Sequence, residues 1–129
     1  MVVCLDTGEV LQNCICLGAG HGGQGEYVSC IIYHASSPQW NETVRLQIPI
    51  DCFERTHLKF YFRHVSSSDG KEKSSQAWFT FLPLMDAKHP GIPLANEKHI
   101  LPVYKCKSPH HPRIAAAPCS AEFTIGFKT

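Results

Sequence analysis

No stretch of this chain approaches the roughly 18 consecutive apolar residues that a membrane-crossing helix needs. Its opening, Met-Val-Val-Cys-Leu-Asp, has no positive leader and only five apolar residues before Asp6, too few for a secretory signal. Charge is sparse and balanced, with 12 Lys+Arg against 11 Asp+Glu and a formal net charge of +1. That balance removes any global pull toward nucleic acid or an anionic surface, so binding of either kind must come from a local cluster. No long window repeats apolar residues at the three-to-four spacing of a capped, amphipathic helix. These absences predict a soluble, cytoplasmic β protein with no nucleic-acid partner.

Catalytic and cofactor patterns are missing too. No nucleophile elbow or Ser/His/Asp signature organises the eight histidines. Asp and Glu occur singly rather than in the pairs that acid–base chemistry uses. No enzyme is therefore expected within this chain. Structural zinc favours paired ligands such as Cys-x-x-Cys; Cys106, His110, His111 and Cys119 lack that pairing. Calcium wants six to eight oxygens from clustered carboxylates, whereas Asp6, Asp51, Asp69 and Asp86 fall one per presumed turn. Gly18-Ala19-Gly20-His21-Gly22-Gly23 formally matches a dinucleotide fingerprint, but that mechanism needs a helix directly afterwards. The strand-like Glu26–Tyr33 follows instead. No metal and no cofactor is expected.

Seven cysteines are present, an odd number, and Cys4, Cys14, Cys16 and Cys30 sit inside apolar runs. Reduced thiols acting as small buried hydrophobes fit this better than a disulfide scaffold. In a cytoplasmic protein the Asn41-Glu42-Thr43 sequon would stay unglycosylated.

What the chain does have is two-residue alternation, the mark of a half-buried strand. Val44, Leu46, Ile48 and Ile50 would face one way, and Thr43, Arg45 and Gln47 the other. In the next run Leu58, Phe60 and Phe62 share a face opposite His57, Lys59, Tyr61 and Arg63. Strands are expected over Val2–Leu5, Val10–Leu17, Glu26–His34, Glu42–Ile50, His57–His64, Ala77–Leu84, His99–Cys106 and Glu122–Phe127. Turn chemistry separates them at Asp6-Thr7-Gly8, Gly18–Gly25, Ser36-Ser37-Pro38, Ser66–Gly70 and Lys88–Pro93. A chain of 129 residues with 43% hydrophobic content makes one domain at most. The pattern implies an all-β antiparallel sandwich over residues 1–106, with a divergent Pro/His/Ala-rich tail over 107–129.

Three basic groupings stand out. Lys71 and Lys73 lie in a Ser-rich loop where Asp69 and Glu72 cancel their net charge, so if this loop binds lipid it does so by placing both lysines around one phosphorylated headgroup; a solvated hairpin tip accounts for them equally well. Lys59 and Arg63, with Arg45 from the neighbouring run, fit a basic sheet face, and an ordinary solvent face explains them equally well. Lys98, Lys105, Lys107 and Arg113 span a stretch free of acids, with an upper bound of about 4 kcal/mol of nonspecific attraction to an anionic membrane.

One sequence of residues carries a family likeness: Tyr33-His34-x-x-Ser37-Pro38-x-Trp40-x-Glu42-x-Val44, then Ile48-Pro49-Ile50, then His57-Leu58-x-Phe60-x-Phe62-Arg63-His64. It resembles the first DOCK homology region of the dedicator-of-cytokinesis guanine-nucleotide exchange factors. Phe81-Leu82-Pro83-Leu84-Met85, Val103-Tyr104-Lys105 and Gly18-Ala19-Gly20 before Glu26-Tyr27 are similar to the same family, so the likeness runs from Met1 to Cys106. It implies a C2-type β-sandwich that binds phosphatidylinositol trisphosphate without calcium and is recruited peripherally to the plasma membrane. By the resemblance, Lys71 and Lys73 occupy a headgroup-binding loop. Exchange on a Rac-type GTPase would lie in a separate domain absent here. Other domains of the parent factor and adaptor proteins are the expected further partners. The family's first strand and its Lys-rich loop would precede Met1, so the copy is expected to lack that strand.

Overall fold

The computed structural model describes residues 1–18, 22–63, 77–105 and 118–128. These form two compact units, residues 1–57 and 58–129. Both are built from antiparallel strands, and the one helix among the described residues is a single turn of four residues. No described helix is long and apolar enough to cross a membrane.

In the first unit, β1 (Val2–Cys4) turns back through Asp6-Thr7-Gly8. Gly8 takes φ 72° there, a left-handed conformation that glycine adopts without a Cβ penalty. Hydrogen bonds from Cys4 N to Glu9 O and from Leu11 N to Val2 O, both 2.9 Å, close the turn. β2 (Ile15–Cys16) pairs with β3 (Arg45–Leu46), Ile15 opposite Leu46 and Cys16 opposite Arg45. Val2, Val3, Cys14, Ile15 and Cys16 are buried with Thr56, whose hydroxyl donates to Phe53 O at 3.0 Å. α1 (Ile50–Phe53) follows Pro49.

Much of the expected strand content of this unit does not form. Val10–Leu17 shrinks to Ile15–Cys16, because Asn13 turns left-handed at φ 60°. Glu26–His34 is irregular, with His34 at φ 51° ending the extended run. Val28, Ile31 and Tyr33 are accordingly exposed. Glu42–Ile50 keeps only Arg45–Leu46 as strand. Pro49 has no N–H for a ladder, and Ile50 opens the helix 82% exposed instead of joining an inward row. Val44 is exposed as well, while Leu46 and Ile48 are half-buried. Period-two spacing survived here without a partner strand long enough to enforce it.

The second unit follows the pattern closely. β4 (Thr56–Arg63), which starts just before the unit boundary, β5 (Ala77–Pro83), β6 (Lys98–Lys105) and β7 (Pro118–Gly126) lie in that order in one sheet. β5 and β6 are antiparallel with Phe79 opposite Tyr104, and β6 and β7 are antiparallel with Leu101 opposite Phe123. Leu58, Thr80, Leu82, Leu84, Leu101 and Val103 are buried. The rings of Phe60 and Phe62 on β4 meet Phe123 on β7 at 5.1 and 5.0 Å. With β5 and β6 between those strands, contact at that range requires a strongly curled sheet.

Pro102 sits inside β6, a strand with neighbours on both sides, and the register shifts between Pro102 and Tyr104. Proline has no donor for the ladder and is tolerated in sheets at such irregularities. Its carbonyl is taken by the Thr80 hydroxyl at 2.8 Å. The expected last strand, Glu122–Phe127, is observed as Pro118–Gly126.

Candidate functional site

The alternation of β4 puts Lys59 and Tyr61 on the face opposite Phe60 and Phe62. Tyr61 lies 6.5 Å from Phe79, Phe79 stacks on Tyr104 at 5.5 Å, and Phe81 stacks on Tyr104 at 5.9 Å. A continuous aromatic row therefore crosses β4, β5 and β6. Lys59 Nζ lies over the Tyr61 and Phe79 rings, 5.0 and 5.4 Å from their centroids. The ammonium of this half-buried residue is drawn by the negative faces of the rings. Lys59 thus reinforces this face, which is less solvated and less purely basic than the alternation alone suggests. Arg63 ends β4 with its side chain exposed.

The three expected basic-face residues divide between the units: Lys59 and Arg63 belong to the second, and the exposed Arg45 lies on β3 in the first. Lys71 and Lys73 lie outside the described residues, in the segment joining β4 to β5. Of the acid-free basic stretch, Lys98 and Lys105 bracket β6 and are exposed. Lys107 and Arg113 lie outside the described residues, as do Cys106, His110 and His111 of the rejected zinc set.

The Trp-x-Glu pair has a structural role that the sequence reading did not assign. Glu42 Oε2 accepts from Tyr27 Oη at 2.8 Å, and Glu42 Oε1 accepts from the Cys30 N–H at 3.2 Å. Trp40 Nε1 donates to Cys30 O at 3.1 Å. The two signature side chains thus stand in for a strand partner at Cys30, satisfying the N–H and C=O that a ladder would otherwise pair. Hydrogen bonds from the Cys30 thiol, the Cys30 amide and Tyr27 hold the Glu42 carboxyl below its ordinary value. The same contacts push the Cys30 thiol and the Tyr27 phenol up. Cys30 itself is exposed, unlike the buried Cys14 and Cys16, which corrects its expected place in a strand core. Burial, followed by proximity to Cys52 and Cys16, raises the Cys14 thiol.

Two of the scattered acids, Asp6 and Asp86, are engaged locally. Asp6 pairs with Arg55 at 3.1 Å. Asp86 accepts from the Lys88 N–H at 2.8 Å and contacts His89 Nδ1 at 2.7 Å, and the His89 bond, then the Lys88 amide, lowers its carboxyl. Among the described residues no group of three His, Cys, Asp or Glu is placed to hold a metal ion.

Residues 1–121 match the family model for the C2 domain in Dock180 and Zizimin proteins. The chain is 40% identical over 126 residues to dedicator of cytokinesis protein 3 of Mus musculus, covering 95% of this chain and 6% of that protein. It is 37% identical over 107 residues to dedicator of cytokinesis protein 4 of Homo sapiens, covering 83% of this chain and 5% of that one. To dedicator of cytokinesis protein 9 of Mus musculus the identity is 31% over 81 residues, covering 57% of this chain and 4% of that protein. The chain thus spans only a small fraction of the relatives it matches.

Proposed function

The chain belongs to the family of C2 domains found in Dock180 and Zizimin proteins, and from that premise we propose that it is a membrane-targeting module of a Rac-type guanine-nucleotide exchange factor. In this reading it binds phosphatidylinositol trisphosphate without calcium and carries no catalytic site of its own. Exchange belongs to another domain of the parent protein. The module works in the cytoplasm and is recruited peripherally to the plasma membrane, where neighbouring domains and adaptor proteins also meet it.

Family membership over residues 1–121 is the observation that carries this. Position in the sequence adds support: Lys71 and Lys73 fall between β4 and β5, and segments joining strands are where sandwich domains carry ligand contacts. Two lysines around one headgroup use charge locally, as a chain of net +1 must. Calcium independence is supported by Asp6 and Asp86 being engaged by Arg55 and His89 instead of converging with other carboxylates.

Titration of the chain with the soluble inositol tetrakisphosphate headgroup, followed by amide chemical shifts, tests the proposal. Saturable shifts in residues 64–76, lost in Lys71→Ala/Lys73→Ala, are expected. Saturation unchanged in that variant would overturn the assignment of the two lysines.

A second reading is favoured by the aromatic row across β4, β5 and β6 and the exposed Arg63 at the end of β4, since aromatic and arginine side chains are enriched where protein partners meet. It makes the domain a protein-interaction sandwich contacting adaptors or neighbouring domains. Loss of partner capture on Lys59→Ala/Arg63→Ala, with headgroup binding intact, would favour it.

A further inference from the structure

β7 is the last strand in its sheet, and among the described residues no strand pairs with its outer edge. Its register tells which backbone groups face that edge. The Phe127 N–H donates to Glu97 O at 3.0 Å, and this pair continues the β7–β6 register of Gly126 with Lys98 and Thr124 with Ile100. Hydrogen-bonded and non-hydrogen-bonded pairs alternate along an antiparallel ladder. Phe123, Ile125 and Phe127 therefore bond to β6, while Glu122, Thr124, Gly126 and Lys128 turn their N–H and C=O groups outward. An open edge of this length is a template for another strand.

The sequence along that edge is self-complementary. We propose that β7 pairs antiparallel with β7 of a second copy of this chain, about a two-fold axis at Ile125. In that register Glu122 of each copy stands opposite Lys128 of the other, twice. Thr124 stands opposite Gly126, where an added Cβ would meet nothing within 4 Å, so the chains can approach. On the other face Phe123 opposes Phe127 and Ile125 opposes itself, all three side chains half-buried in the single chain. Shifting the partner by two residues sets Glu122 against Gly126 and Lys128 against Ser120, which loses both charge pairs and both aromatic pairs. Charge complementarity thus selects the occupant and the register together. Opposite charges across strands attract and like charges repel.

Sedimentation velocity of the 129-residue chain over a range of concentrations tests this. A monomer–dimer equilibrium is expected. Glu122→Lys places like charges opposite one another twice and should weaken it about tenfold. Adding Lys128→Glu reverses both signs and should restore the wild-type constant. Thr124→Pro removes only an outward-facing donor and should leave a folded monomer, with circular dichroism and melting unchanged. The inference is overturned if the wild-type chain stays monomeric at every concentration. It is equally overturned if Thr124→Pro dimerises as well as wild type, or if the double charge swap fails to restore what Glu122→Lys removed.

Discussion

Phe123 on the last strand meets Phe60 on β4 at 5.1 Å, although two strands lie between them in the sheet. The contact ties the ends of the second unit's sheet together across its concave face. Phe62 joins it at 5.0 Å. Phe123→Ala should therefore destabilise the second unit although the residue is only half-buried. Losing part of a buried aromatic and two ring pairs should cost about 2 kcal/mol. Urea denaturation checks this, and Phe123→Leu should recover most of the loss.

Thr80 is fully buried and gives its hydroxyl to the Pro102 carbonyl at the β6 irregularity. Thr80→Val keeps the shape but leaves that acceptor without its donor, at a cost of about 1–3 kcal/mol. Thr80→Ser keeps the bond and loses one methyl, so it should cost about 1 kcal/mol. Denaturant midpoints should rank wild type above Ser above Val.

The Glu42 anchor gives a pH dependence with a definite sign. Its carboxyl is lowered in the folded state, so its stabilising contribution is present above the ordinary glutamate range and is lost as pH falls through the lowered value. Tyr27 is raised, so its contribution is present below the ordinary tyrosine range and lost as pH rises through the raised value. In an ultraviolet absorbance titration, one tyrosine should ionise late. Glu42→Ala should return it to the ordinary range.

Lys59→Ala removes a cation held over two rings, and about 0.5–1 kcal/mol of stability should go with it. Thermal melts should show a small drop for this variant and almost none for Arg63→Ala, whose side chain is exposed. Adaptor-binding experiments on this face need that difference in hand.

These variants also mark where the sequence was legible. Strict alternation gave β4 and its two faces correctly, because each residue there has a neighbouring strand to hold it in register. Similar spacing over Glu42–Ile50 misled, since Pro49 has no N–H and the stretch from Val28 to Tyr33 forms no strand, which left most of it without a ladder. Trp40 and Glu42 were visible as a signature, yet their hydrogen bonds to Tyr27 and Cys30 depend on loop geometry that no periodicity encodes. The cation–π role of Lys59 was hidden for a related reason: alternation assigns a face but cannot show that aromatic neighbours line it. Lys71 and Lys73 rest on family likeness, outside the described residues.

Flotation of the chain with liposomes tests the central claim most directly, using vesicles with and without phosphatidylinositol trisphosphate and a calcium chelator present throughout. The account predicts flotation only with the trisphosphorylated lipid, abolished in Lys71→Ala/Lys73→Ala. Flotation that ignores the lipid, or that the double variant retains in full, would contradict it.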